Sequence, residues 1–175
     1  MKNSIAAVLA AITIVLSVNT ITAKETKSQT ITDIQDSSQL KPVFDNYFAL
    51  KDALIKSDAK TTSAKAKELL AVISAVKMDQ LKGNEHTAWM KVMKKMSADA
   101  KSISSNQDLK KQRETFKSLS KSTYELIKAS NPTQTVYYQY CPMADANWLS
   151  KEKAVKNPYY GSSMLTCGNV VETIK

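Results

Sequence analysis

The chain has 175 residues, a formal net charge of +9 and a hydrophobic fraction of 43%, and this length accommodates one domain and hardly two. Its basic residues are mostly lysines scattered along the chain, with a single arginine, Arg113, whereas nucleic-acid-binding proteins cluster lysine and arginine on one face. We therefore expect no nucleic-acid partner. Weak attraction of the basic surface to an anionic membrane is an alternative that the net charge allows.

Residues 1–23 have the pattern of a secretory signal peptide. Lys2 supplies a positive start, residues 5–18 are mostly apolar, and Ala23 is a small residue before a plausible cleavage site. The apolar run is shorter than the roughly 20 residues of a typical transmembrane helix, and an uncleaved membrane anchor is the alternative. The sequence thus predicts a periplasmic or secreted protein without stable membrane insertion after cleavage of the signal.

Residues 24–36 are polar and lack a helical period, so we expect a flexible lead-in there. Four amphipathic segments follow, in which apolar residues recur at steps of three and four. We expect Ser37 or Ser38 to cap the first helix, with Pro42 in its first turn, Gly83 to end the second helix and Asn106 to cap the fourth. The predicted helices span about residues 37–57, 61–82, 85–104 and 108–130.

Short links between these helices predict an up-down four-helix bundle. The predicted fold of domain 37–175 is therefore all-α, with an irregular C-terminal tail, rich in cysteine, methionine and aromatic residues, packed on the bundle. Within the tail, residues 136–140 are β-prone and indicate a short extended segment, and residues 157–161 are typical of a turn. Residues 170–175 fit either a short strand or a last frayed helix.

The tail holds both cysteines of the chain, and each lies close to a methionine. Cys141 is followed two residues later by Met143, and Met164 precedes Cys167 by three residues. Thiolate and thioether are the soft ligands that select Cu(I) and its soft relatives over hard cations. If the turn at 157–161 folds the second pair back toward the first, four sulfur ligands converge, and Gly168 lets backbone approach closely there.

A disulfide between Cys141 and Cys167 is the competing interpretation. An even pair of cysteines in an oxidising compartment suggests a disulfide first, and such a bond across the 25 intervening residues, 142–166, would stabilise the fold by about 3 kcal/mol. On composition alone the disulfide stands slightly ahead of the metal site.

His86, the only histidine, begins the third predicted helix. Met90 and Met93 follow at i+4 and i+7 on the same face, so His86 is a candidate imidazole ligand of a soft-metal site, whereas the usual role of methionine is to fill irregular gaps in a core. A catalytic Cys–His pair is conceivable, but no sequence motif of an enzyme class accompanies it. We therefore expect no enzymatic activity.

Several segments of the chain resemble the exported domain of unknown function 3347. These are Y-C-P-M-A at 140–144, N-W-L-S-K-E-K at 147–153, N-P-Y-Y-G-S-S-M-L-T-C-G-N-V at 157–170 and, more weakly, H-T-A-W-M at 86–90 and Q-R-E-T-F at 112–116. The resemblance covers about residues 38–174. It implies an association with copper or silver, because members of this family occur as free exported proteins and as an extra domain on periplasmic adaptor subunits of heavy-metal efflux pumps.

The segment Y-Q-Y-C-P-M is also similar to the start of the small heavy-metal-binding domain of copper and silver efflux proteins. The similarity includes Cys141, Pro142 and Met143. It ends at Ala144, where that domain has histidine. The later C-G-M of that domain corresponds to Cys167 and the two residues after it, where asparagine replaces methionine.

With the resemblance added, the sequence predicts an exported protein that binds Cu(I) or Ag(I) and handles it for an efflux system. The expected partners are the metal ion and an efflux-pump adaptor subunit. Aromatic residues of the tail are expected to pack it on the bundle and to shield the site from water. The alternative is a disulfide-stapled structural or protein-binding module of the cell envelope. The expected ligands are Cys141, Met143, Met164, Cys167 and His86, and the expected shield is Tyr137, Tyr140, Trp148, Tyr159 and Tyr160.

Overall fold

The computed structural model describes residues 39–175; the predicted signal peptide (1–23) and lead-in (24–36) lie outside the described residues. The predicted number of helices is confirmed, and consecutive helices pack against each other as in a helical bundle. The helices are α1 (Lys41–Ile55), α2 (Ala59–Ala75), α3 (Gly83–Ser104) and α4 (Leu109–Ala129), and the strands are β1 (Val136–Cys141), β2 (Ala146–Ser150) and β3 (Asn169–Ile174).

The first two helices differ from the prediction at their ends. Pro42 lies in the first turn of α1 as expected, but the N-cap is Leu40, without a side-chain hydrogen bond, rather than Ser37 or Ser38. Helix α2 begins earlier than predicted because Asp58 caps it, accepting a hydrogen bond from the amide of Thr61 over 2.9 Å. It also ends earlier, and a short 3-10 helix, Met78–Gln80, follows it.

The last two helices lie close to their predicted spans. Gly83, expected to end the second helix, adopts φ +53° and is the first residue of α3. The cap of α4 is Asp108, whose carboxylate accepts from the amide of Lys110 over 2.9 Å, while Asn106 accepts from the amide of Asp108 over 2.8 Å. Within residues 39–175, no helix combines the length and apolar character needed to span a membrane.

The prediction of an all-α fold was wrong for the tail, which forms a three-stranded antiparallel sheet with the order β2-β1-β3. Strand β1 is the extended segment that was expected. Strand β2 was missed, although Pro142 and Asp145 mark the turn before it: the amide of Asp145 donates to the carbonyl of Pro142 over 3.2 Å, and Asp145 has φ +44°. Strand β3 settles the open choice for residues 170–175 in favour of a strand.

Contacts between α1, α4 and the sheet place the tail on the helices. The phenol of Tyr47 in α1 accepts from the amide of Leu149 in β2 over 3.1 Å and shares a hydrogen bond with Ser120 of α4 over 2.8 Å. The ring of Phe116 in α4 stacks on Tyr47 and contacts the ring of Tyr159. Because these side chains are buried in one continuous core, the sheet and the helices share their apolar interior.

Candidate functional site

The two cysteines meet at one end of the sheet, with their Sγ atoms 2.7 Å apart. Cys141 is the last residue of β1, and Cys167 lies two residues before β3. The antiparallel register, which places Tyr140 opposite Asn169, brings these flanking positions together. Cys141 is fully buried and Cys167 is half-buried; both are free thiols. Of the four sulfurs that were expected to converge, those of the two cysteines are in contact, and we call these residues the cysteine pair.

Gly168 allows the close approach of the strands beside the cysteine pair, as expected from the sequence. Its φ is +135°, a conformation that side chains rarely adopt. A Cβ atom added at Gly168 would lie 2.6 Å from the carbonyl oxygen of Tyr140 and 2.9 Å from Cη2 of Trp148. Only glycine therefore lets the Cys167 segment lie this close to the end of β1.

Asn157 connects the loop between β2 and β3 to the cysteine pair, a role of its side chain that was not predicted. It is fully buried. Its Oδ1 accepts from the amide of Tyr159 over 2.8 Å, and its Nδ2 donates to the carbonyl of Cys167 over 2.9 Å. Its own amide donates to the carbonyl of Leu165 over 2.8 Å. The turn signal at 157–161 was the clue to this residue, since asparagine is favoured where a side chain must bond nearby backbone.

The environment of the cysteine pair makes its two sulfurs unequal. Burial raises the pKa of the Cys141 thiol, but hydrogen bonds from Cys167, the amides of Ala144 and Met143 and the Asn157 side chain outweigh it, and the pKa falls below its ordinary value. The hydrogen bond shared with Cys141, followed by burial and the charge of Cys141, raises the pKa of Cys167. Cys141 is therefore the first of the pair to become a thiolate.

Of the expected aromatic shield, two members are buried and the others are half-buried. Trp148 and Tyr159 lie in the core with their rings in an edge contact. The hydroxyl of Tyr140 donates to Asp145 over 2.9 Å, and the hydroxyl of Tyr160 donates to the carbonyl of Met143 over 2.9 Å. Tyr137 is half-buried on β1.

The two tail methionines differ in exposure. Met143 lies in the turn after Cys141, and its side chain is 64% exposed. Met164 is half-buried at the end of a 3-10 helix, Gly161–Met164, and its carbonyl accepts from the amide of Cys167 over 3.1 Å. Both residues thus flank the cysteine pair along the chain.

The structure does not bring His86 into a cluster with both cysteines. His86 is exposed in the first turn of α3, a helix that packs on α2 and α4. In the part of the chain from residue 39 onward, no three His, Cys, Asp or Glu side chains form a group that could hold a metal ion. Met90, one helical turn after His86, is exposed. Met93 packs against the core, and Met96 is fully buried in the core.

Arg113 is a second residue whose role was missed. From α4 it donates to the carbonyl of Pro158 over 3.0 Å, to the carbonyl of Leu54 over 3.2 Å and to Oγ of Ser57 over 2.8 Å. Gly161 follows with φ +58°, and a Cβ atom there would lie 2.8 Å from the guanidinium. The single arginine thus fastens the loop that holds Asn157 to the ends of two helices.

The comparison with protein families matches residues 43–135 to the family described as "Protein of unknown function (DUF3347)". The chain belongs to this family. The match covers the four helices except the first two residues of α1, and it ends directly before β1. The tail, which was expected to carry the most specific motifs of the resemblance, therefore lies outside the matched residues. No curated protein matches the chain, and no solved structure matches it.

The arrangement offers one buried and one half-buried sulfur in contact, held by backbone and by a buried asparagine. Such a pair has two chemical options. It can bind one soft ion through two thiolates, or it can be oxidised to a disulfide.

Proposed function

We propose that this member of the DUF3347 family is an exported soft-metal-binding protein. Its cargo is one Cu(I) or Ag(I) ion, which Cys141 and Cys167 hold as thiolates. The role is to handle or buffer the ion for a heavy-metal efflux system without chemical turnover. The observation that carries the proposal is the contact of the two sulfur atoms, 2.7 Å apart, at the end of β1.

The donor set suits a soft monovalent ion. Sulfur ligands favour Cu(I) over hard cations, and a cation of low coordination number needs no third protein ligand. The ion lies between two sulfurs only if they separate beyond their present contact. Cys167 is the sulfur that can move, because it is half-buried and belongs to a loop rather than to a strand. Met143 and Met164, the two other expected sulfur ligands, flank the pair along the chain, and the two thiolates hold the ion without them.

The signal-like residues 1–23 and the family membership support the placement in a metal-efflux context. The apolar run with a basic start indicates export, and the family includes domains on adaptor subunits of heavy-metal efflux pumps. We propose the periplasm as the location and such an adaptor as the protein partner.

The test is native mass spectrometry of the reduced protein after anaerobic addition of one equivalent of Cu(I). The wild type should gain one copper ion that a strong Cu(I) chelator removes. Cys141→Ser and Cys167→Ser should each lose the ion, since a single thiolate remains. Met90→Leu is the matched control, because Met90 is exposed on α3, and it should bind as the wild type does. Reduced wild-type protein that takes up no copper, or serine variants that keep it, would contradict the proposal.

A second candidate is a disulfide-stapled structural or protein-binding module, and the same contact of the sulfurs favours it. Protein isolated from the periplasm without reductant would then be lighter by two hydrogen atoms and free of metal, even after Cu(I) is offered. In this case Met143→Leu should leave the free energy of unfolding nearly unchanged, since an exposed thioether contributes little to stability.

A further inference from the structure

The two residues of the cysteine pair and Met143, two residues after Cys141, differ in how far solvent reaches them. The Met143 side chain is 64% exposed, Cys167 is half-buried, and Cys141 is 0% exposed. An ion that arrives from outside therefore cannot meet Cys141 first. It meets the exposed thioether or the half-buried thiol before the buried one.

The backbone of Met143 is fixed while its side chain reaches into solvent. Its carbonyl accepts from the Tyr160 hydroxyl over 2.9 Å. Its amide interacts with both sulfur atoms of the cysteine pair. The turn that holds it is closed by the hydrogen bond from the amide of Asp145 to the carbonyl of Pro142 over 3.2 Å. A solvent-exposed thioether is thus attached to a main chain that contacts the pair.

We propose that Met143 is the entry ligand of the site: it accepts the soft ion from an external carrier and passes it to Cys167 and then to Cys141. This inference rests on the proposed function. Each step is a ligand exchange in which the metal stays monovalent. The carrier's ligand leaves when the Met143 sulfur binds, and the Cys167 thiol releases its proton to water when its sulfur binds the ion. Met143 leaves when the Cys141 thiol in turn releases its proton to water and binds.

Met164 provides the comparison within the same tail. It is also a thioether close to a cysteine, but it is half-buried at the end of the 3-10 helix, and only its carbonyl is seen to bond the Cys167 segment. If exposure decides the entry of the ion, replacement of Met143 should slow loading, and replacement of Met164 should not.

The experiment is stopped-flow transfer of Cu(I) from a coloured Cu(I) chelator to reduced, full-length wild-type, Met143→Leu, Met164→Leu and Met90→Leu proteins. Leucine keeps the apolar volume and removes the sulfur. We expect Met143→Leu to slow transfer by about tenfold, as for the loss of one contact in the transition state, while its affinity at equilibrium stays within about twofold of the wild type. The two other variants should load at the wild-type rate.

The outcomes separate the two proposals. If the wild type binds Cu(I) and Met143→Leu loads equally fast, the entry role is overturned and the metal site stands. If Met143→Leu binds more weakly only because the ion leaves faster, Met143 is a resident ligand, and the entry role is again overturned. If the wild type binds no Cu(I), both proposals fall. Slow loading by Met143→Leu alone supports the entry role.

Discussion

The guanidinium of Arg113 donates from Nε to the main-chain carbonyl of Pro158 over 3.0 Å, which joins α4 directly to the loop that follows β2. One of its two terminal nitrogens, Nη2, donates to the carbonyl of Leu54 at the end of α1 and to the hydroxyl of Ser57 just after it. Burial lowers the pKa of Arg113, and the arginine stays charged because its ordinary pKa is far above neutrality. The guanidinium thus donates to three oxygen atoms, one in the loop after β2 and two at or just after the end of α1.

Arg113→Lys should destabilise the protein by about 1–3 kcal/mol, because an ammonium cannot reproduce the fixed fork of the guanidinium and leaves partly buried carbonyls without a donor. Urea unfolding measures this loss. Lys111→Arg, an exposed exchange on the same helix, is the reverse control and should change stability by less than about 0.5 kcal/mol. Equal stability of Arg113→Lys and the wild type would show that the three hydrogen bonds do not fasten the loop.

Gly168→Ala should be far more damaging than Gly83→Ala. Both glycines have positive φ, but a Cβ atom at Gly83 meets nothing within 4 Å, whereas at Gly168 it meets the carbonyl of Tyr140 at 2.6 Å. Gly83→Ala, the control, should lower the free energy of unfolding by about 1–2 kcal/mol because of its backbone conformation alone. Gly168→Ala should lower it by about 2 kcal/mol more, or further still. Thermal unfolding of the reduced proteins distinguishes the two, and equal losses would mean that the strands near the cysteine pair separate easily.

Oxidation of the cysteine pair should stabilise the protein and abolish the proposed uptake of Cu(I). With oxidised glutathione as the oxidant, the two thiols lose two protons and two electrons, and one disulfide forms. The loop of residues 142–166 between the cysteines predicts a gain of about 3 kcal/mol. Urea unfolding with and without reductant measures the gain. Cys167→Ser must show no such difference, and a wild type equally stable in both states would argue against closure of the bond.

Glu172 should contribute stability that depends on pH. Hydrogen bonds from Lys128 and from the hydroxyl of Tyr124 lower the pKa of this carboxyl from its ordinary value of 4.5. Because the folded pKa is the lower one, the contribution is complete above about pH 5 and is lost as the pH falls through the folded pKa. Glu172→Gln should cost a few tenths to about 1 kcal/mol at pH 7, since the pair is partly exposed to solvent.

The same comparison at pH 3 should show a smaller difference between Glu172→Gln and the wild type, because the stabilising contribution of the lowered pKa decreases as the pH falls below the unfolded pKa. Chemical unfolding at the two pH values provides the measurement. Glu114→Gln is the control, since Glu114 pairs with Lys117 within α4 and is mostly exposed. A cost of Glu172→Gln that is the same at both pH values would assign it to packing of β3 rather than to charge.

The helices could be predicted from the sequence because their signal is local. Apolar residues at steps of three and four report the buried face of a helix whatever it packs against. The ends were less certain: Asp58 caps α2, whereas the apolar Met78, assigned to the same helix, lies beyond its end and is exposed. A methionine at helical spacing does not reveal that the chain has already left the helix.

The sheet could be predicted only in part, because its strands pair across long stretches of chain. Strand β1 is β-prone by composition, but β2 has five residues, and β3 pairs with β1 after a loop of more than a dozen residues. The register of the β1–β3 pairing also shifts between Tyr138 and Gln139. The alternation of side chains along the sequence does not indicate such an irregularity.

Within the candidate site, the meeting of the two cysteines was anticipated, but the residues that hold them in place were not. The turn at 157–161 and the flexibility of Gly168 are visible in the sequence. The buried contacts of Asn157 and Arg113 depend on how the loop lies on α1 and α4, so composition alone does not indicate them. The different exposure of Met143 and Met164 is likewise a tertiary property.

The order of the strands has a consequence for biosynthesis. Strand β1 lies between β2 and β3, so the last strand in the chain completes the sheet on the side where Cys167 meets Cys141. A nascent chain that has reached only β2 carries four helices, a hairpin and one cysteine. Until Asn169–Ile174 has been synthesised, no pairing with β1 aligns Cys167 with Cys141. Contact between the two sulfurs is thus a late event, which requires that β3 has been synthesised and has paired with β1.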